Sequence, residues 1–232
     1  MKSGYFWLIS LMVVQTAQAQ MAMEEPLIYQ LKADEFESSD GNGNPLSWDA
    51  QAWVGKDLSK LWFKTEGERL DSETEELEFQ ALYSRAISPY WDLQAGLRHD
   101  FEPAPQTSWA VLGLQGLAPY FFELESVFFL SEDGDLALRL KAEYELLLTQ
   151  RLILTPEIEM DLYQDDISQL ALGSGLSDIS AGMRLRYEFR REFAPYVGIN
   201  WQEKFGSTAD YASLHGEEVS ETKFVIGIRF WY

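Results

Sequence analysis

The chain has no cysteine, which removes disulfide staples and thiolate metal sites from consideration. Histidine is almost as scarce, with only His99 and His215 in 232 residues. Basic residues are also in short supply, 18 Lys and Arg against 38 Asp and Glu, for a formal net charge of −20. Nucleic acid is a poor partner for such a chain, because its phosphates must be met by Lys and Arg; cations are the natural guests. Long apolar runs are missing as well. The longest, 5–14, is shorter than the roughly 20 residues of a membrane-crossing helix. No nucleotide-binding loop, zinc-binding helix or calcium-loop motif is present.

That short run has another meaning. Lys2 precedes it, and Ala17-Gln18-Ala19 follows it as a small-residue cleavage site, so residues 1–19 are expected to be an export signal peptide. Cleavage would start the mature chain at Gln20, with residues 20–26 a short periplasmic tail and 27–232 a single domain.

What the chain has in abundance is period-two alternation. Leu136, Leu138, Leu140, Ala142, Tyr144 and Leu146 fall on one side of an extended strand, and Ala137, Arg139, Lys141, Glu143 and Glu145 on the other. Ile179, Ala181, Met183, Leu185 and Tyr187 oppose Ser180, Gly182, Arg184, Arg186 and Glu188 in the same way. A helix would scatter these charges around its circumference, whereas a strand gathers them on one face.

Turns recur at intervals. Ser88-Pro89-Tyr90, Ala118-Pro119-Tyr120 and Ala194-Pro195-Tyr196 each read as a short turn entering a strand, its Tyr at a membrane interface. Longer polar stretches at 38–45, 71–74, 100–107, 131–135, 164–177 and 206–221 read as loops at the opposite rim. Twelve strands result, at 27–36, 47–55, 60–69, 75–86, 90–99, 108–117, 121–130, 136–148, 153–163, 178–190, 196–205 and 222–232. The predicted fold is all-β, a transmembrane antiparallel β-barrel of about 12 strands in the bacterial outer membrane, against outer-membrane lipid, both termini on the periplasmic, short-turn side. The final strand alternates Phe224, Ile226, Ile228, Phe230 and Tyr232 up to an aromatic last residue. A soluble sheet rarely ends on so bare an apolar row.

Several segments together resemble the copper resistance protein B (CopB/PcoB-type) family. They include Trp62-Phe63-Lys64-Thr65-Glu66-Gly67-Glu68, Pro89-Tyr90-Trp91-Asp92-Leu93-Gln94-Ala95-Gly96-Leu97-Arg98, Leu148-Thr149-Gln150-Arg151-Leu152-Ile153-Leu154 and Phe193-Ala194-Pro195-Tyr196. The resemblance implies a non-enzymatic, copper-handling outer-membrane barrel contributing to copper resistance, with copper ion as its guest and a periplasmic multicopper oxidase as its partner. Many members of the family begin with a Met- and His-rich region, of which Gln20-Met21-Ala22-Met23 keeps two thioethers. Met21 and Met23 are therefore the candidate copper ligands, thioethers being suited to Cu(I).

The face turned from lipid carries the other candidates: Glu66, Glu68, Glu76, Glu78, Asp92, Glu123, Glu125, Glu143, Glu145, Glu157, Glu159 and Asp161, as a cation path through the lumen. Those carboxylates, with Lys64, Arg139, Lys141, Arg184 and Arg186, read equally as an ion-pair network that closes the barrel. A general small-solute or cation channel is the alternative function. A hydrolase reading would join His99 at the rim to Ser108 on the next strand, but no orienting carboxylate or oxyanion hole accompanies them.

Overall fold

The computed structural model describes residues 25–40, 45–71 and 73–232. The expected leader 1–19, and Met21 and Met23 of the tail, lie outside the described residues.

Every strand pairs antiparallel with its neighbour in sequence, from β1 (Ile28–Ser39), β2 (Leu46–Lys56), β3 (Ser59–Leu70) and β4 (Glu73–Ser88) onwards. The wall continues through β5 (Trp91–Glu102), β6 (Thr107–Leu117), β7 (Phe122–Ser131) and β8 (Leu136–Tyr144) with its continuation β9 (Leu146–Leu147). It ends with β10 (Leu152–Tyr163), β11 (Gly175–Tyr187), β12 (Phe193–Lys204) and β13 (Ser220–Trp231). β13 then pairs with β1, so the sheet closes. Because β8 and β9 both lie on β10, they form one interrupted wall strand, and the barrel has twelve. Closure leaves no open edge, a requirement for strands in lipid. The last residue takes part: Leu31 N–H donates to the Tyr232 carbonyl at 2.9 Å, and Tyr232 N–H to the Leu31 carbonyl at 2.8 Å.

Two irregularities aim side chains that matter later. The break between β8 and β9 falls at Glu145, beside Pro156 on β10, which has no N–H for the ladder. In β1 the register shifts after Ala33, and both Asp34 and Glu35 consequently line the lumen.

The turned-out row of each strand is apolar, as Phe79 and Tyr83, Leu93 and Leu97, and Phe224 and Ile226 show by their exposure. Inside, part of the lumen wall is a small packed core of Leu82, Trp109, Val111, Val127, Phe129 and Ala137. No described helix is long and apolar enough to cross a membrane.

Three expectations need correction. Tyr90 and Tyr120 stand at the short-turn rim, 65% and 82% exposed, but Tyr196 is 4% exposed and lines the lumen. Pro195 sits within β12 opposite Ile228 on the outward row, so the next residue turns inward. The stretch 206–221 is not all loop: it holds a helix, α1 (Gly206–His215), ended by Gly216 at φ 79°. The loop expected at 164–177 ends earlier, because β11 begins at Gly175. There Gly173 N–H donates to Thr208 Oγ1 at 2.8 Å, and Ser177 Oγ lies 3.0 Å from the same oxygen, tying α1 to the start of β11.

Candidate functional site

The barrel interior brings the twelve sequence-selected carboxylates together. Glu66, Asp92, Glu123, Glu125, Glu143, Glu157 and Glu159 line a cavity of about 910 Å³. Glu68 and Glu76 line a second, of about 210 Å³, with Glu66, Glu157 and Glu159 again in its wall. Glu78, Glu145 and Asp161 are held by lumen arginines. The large cavity extends to the short-turn rim, where Asp57, Leu58, Pro89, Tyr90 and Leu117 border it. The small one lies toward the long loops, beside Ser39, Ser47 and Glu221.

Glu35, Asp49, Glu66, Lys141, Glu157, Glu159 and Arg184 line both cavities and form the layer where the two adjoin. Ion pairs that cross the lumen knit this layer. Lys64 on β3 reaches Glu125 on β7 at 2.7 Å, and Lys141 on β8 reaches Asp49 on β2 at 3.5 Å. Arg139 contacts Glu66 at 3.3 Å, Glu78 at 3.4 Å, Glu159 at 3.3 Å and Asp161 at 3.1 Å. Its guanidinium and that of Arg98 also lie over the Phe129 ring, at 5.8 and 4.8 Å. Arg184 holds Glu35 at 2.7 Å and Glu37 at 3.1 Å, and Tyr196 Oη donates to Glu37 at 2.8 Å. Nearer the short-turn rim, Glu145 accepts from Arg186 at 2.5 Å and Arg229 at 2.9 Å. Pairing answers the high cost of bringing isolated ions into such an interior. Carboxylates still outnumber cationic groups in the lining of both cavities.

Asp34, Glu35, Glu37 and Asp49 belong to this site and were not among the sequence candidates. The β1 bulge breaks the alternation of the first three, whose only available signal was the run Asp34-Glu35-Phe36-Glu37 itself; Asp49 lies on β2.

The other candidates lie apart from the lumen. His99 Nδ1 lies 3.0 Å from Ser108 Oγ, with the Phe101 ring edge-on at 4.5 Å. These two residues thus meet, yet their described contacts include no carboxylate on the imidazole. His215 ends α1 with Nδ1 2.9 Å from the Tyr211 carbonyl. Among the described residues no three His, Cys, Asp or Glu side chains converge as a metal site.

A closed twelve-stranded barrel with an apolar wall and an ionic interior is an outer-membrane protein. Solved structures share that fold. The NanC porin matches with a TM-score of 0.56 at 11% identity, over 88% of this chain and 99% of that one. The KdgM porin in complex with disordered oligogalacturonate matches with a TM-score of 0.50 at 12% identity, over 88% and 98%. Sequence relatives define the family more narrowly. The profile described as Copper resistance protein B precursor (CopB) matches residues 27–232. Copper resistance protein B of Escherichia coli is 48% identical over 198 residues, covering 85% of this chain and 67% of that protein. The Copper resistance protein B homolog of Pseudomonas syringae pv. tomato (strain ATCC BAA-871 / DC3000) is 45% identical over 201 residues, covering 86% and 68%. The chain belongs to the copper resistance protein B family, and its role is in copper resistance.

Proposed function

We propose that the barrel, acting without catalysis, takes copper as cargo into its lumen from the short-turn side and moves or sequesters it at the outer membrane. The observation that carries this reading is the large acidic cavity, which reaches the short-turn rim and shares an ion-paired layer with the smaller cavity toward the long loops. Carboxylate-rich walls concentrate cations without binding them tightly, which suits passage. The start of β1 and the end of β13 meet at the short-turn rim, the side that faces the periplasm in outer-membrane barrels. Met21 and Met23 stand a few residues before β1 in the sequence, and their thioethers suit Cu(I). A periplasmic multicopper oxidase is the partner this orientation allows, facing the same mouth.

Copper content of cells with and without the protein, at defined Cu(I) and Cu(II) supply, tests the reading. A copper-dependent change in content and tolerance is expected; identical values would end it. The alternative, a general small-solute or cation channel, predicts conductance for unrelated ions with no effect on copper.

A further inference from the structure

Lys56, Arg85, Arg151, Arg190 and Arg191 are exposed at the short-turn rim, and none has an ion pair, a side-chain hydrogen bond or a ring contact among the described residues. Other cations are engaged. Lys60 lies over the Trp53 ring at 4.8 Å, Lys64, Arg139 and Arg184 hold carboxylates in the lumen, and Lys204 near the long loops holds Glu217. The long-loop rim exposes acids instead, among them Asp71, Glu73, Glu132, Asp133, Asp165 and Glu218. Unpaired positive charge is thus sorted to one end of the barrel.

Three of the five stand on neighbouring turns. Because β10 pairs with β11, the turn from β9 to β10 and the turn from β11 to β12 lie side by side. Glu188 N–H joins them by donating to the Arg151 carbonyl at 2.8 Å, and Arg190 and Arg191 follow in the second turn. Both turns are pinned: Thr149 Oγ1 accepts from the Arg151 and Leu152 N–H groups at 3.2 and 2.9 Å, and the Trp231 indole donates to the Arg191 carbonyl at 2.8 Å. Glu192, in the second turn, pairs with none of the three arginines, and Glu188 turns inward to Arg186 at 4.0 Å. Toward the membrane the outward face is apolar. Leu152 and Tyr187 are ladder partners there, the Tyr187 and Phe189 rings meet edge to face at 5.1 Å, and Leu148 and Phe189 are 55% and 64% exposed.

A guanidinium presents a planar fork of donors that matches two oxygens of a phosphate. A phosphodiester carried on acyl chains meets both halves of this surface, its charge on the arginines and its chains on Leu148, Leu152 and Phe189. Tyr187 belongs at the boundary between them. A soluble anion would meet only the arginines. A headgroup with an ammonium of its own partly neutralises its phosphate, so a net-negative headgroup fits better. We propose that Arg151, Arg190 and Arg191, with this apolar face beside them, bind an anionic glycerophospholipid in the leaflet on the short-turn side. The site rests on the barrel fold and is independent of the copper-cargo reading.

Mass spectrometry of the intact folded protein, released from detergent micelles after titration with one lipid at a time, tests this. The probes are phosphatidylglycerol and phosphatidylethanolamine with identical acyl chains, and glycerophosphoglycerol as the headgroup without chains. The wild type is expected to bind its first phosphatidylglycerol more tightly than phosphatidylethanolamine. Arg151→Gln, Arg190→Gln and Arg191→Gln should each weaken phosphatidylglycerol binding about fivefold, and the triple variant about a hundredfold. Lys204→Gln changes the net charge as much as one of these but lies on the opposite rim, and should leave binding unchanged. Circular dichroism checks that every variant keeps its strands. Equal binding of the two lipids by the wild type, unchanged binding in the triple variant, or an equal loss in Lys204→Gln overturns the proposal. Equally tight binding of glycerophosphoglycerol would assign the arginines to a soluble anion and overturn it too. So would capture of a soluble polyglutamate peptide by the wild type without any lipid preference, since that gives the rim to an acidic protein.

Discussion

Lys64 on β3 and Glu125 on β7 are joined across the lumen at 2.7 Å although 61 residues separate them. Glu125→Gln would leave the nearly buried Lys64 ammonium without its counterion and should destabilise the barrel by about 3 kcal/mol. Adding Lys64→Met removes the stranded charge, and the double variant should recover most of that loss. Urea unfolding in lipid vesicles measures both. A single variant as stable as the wild type would show that the pair is dispensable.

Tyr196 and Gly227 are ladder partners on β12 and β13 and share one space. The Tyr196 ring lies where a Cβ on Gly227 would stand, with its hydroxyl 2.5 Å from that position. The same hydroxyl donates to Glu37, which Arg184 also holds. Tyr196→Phe forfeits a hydrogen bond to a charged group and should cost about 2 kcal/mol. Gly227→Ala should cost at least as much, because it displaces the ring and the bond with it. Since both changes remove one arrangement, their combination should cost less than the sum in a double-mutant cycle. Strict additivity would refute the coupling.

Strand number, inward and outward faces and the closing C-terminal strand were legible in the residues because alternation in β4, β8 and β13 runs almost unbroken. β1 hid its three lumen acids, Asp34, Glu35 and Glu37, behind a bulge, which shifts the phase within a single strand. The helix Gly206–His215 has no apolar stripe to announce it; what secures it is a tertiary contact, Thr208 against Gly173 and Ser177. Tyr196 shared a motif with two rim tyrosines, yet Pro195 lies inside a strand, and period two decided its direction. Which acid meets which base was beyond reach, since Lys141 and Asp49 lie 92 residues apart.

Asp166, in the long loop between β10 and β11, accepts the Ser174 backbone N–H at 2.6 Å. That bond favours the ionised form and holds the carboxyl below its ordinary value. A folded-state value lowered in this way contributes order that is fully present above the ordinary carboxylate pKa. The contribution is lost as pH falls through the lowered one. Protection of the Ser174 amide from hydrogen exchange, referenced at each pH to an unstructured peptide, should therefore decline only in strong acid. Asp166→Ala should abolish both the protection and its pH dependence. Equal protection in the variant would disprove the brace.

Arg139 is the group on which the ion-paired layer depends most, since it contacts Glu66, Glu78, Glu159 and Asp161 from four directions. Glu66 and Glu159 border both cavities, so removing their shared cation uncouples the layer where the two adjoin. The wild-type barrel is therefore expected to be nearly silent in planar bilayers, and Arg139→Ala to make it conduct. Selectivity should favour cations, because Glu66 and Asp161 lose their only cation, while Glu78 keeps Arg98 and Glu159 keeps Lys141. Arg139→Lys keeps a positive charge in place and should stay close to silent, though less stable for want of the forked geometry. The two variants separate a gate from a brace: loss of stability in both without any conductance would make Arg139 a structural strut. Anion-selective current in Arg139→Ala would contradict the acidic path itself.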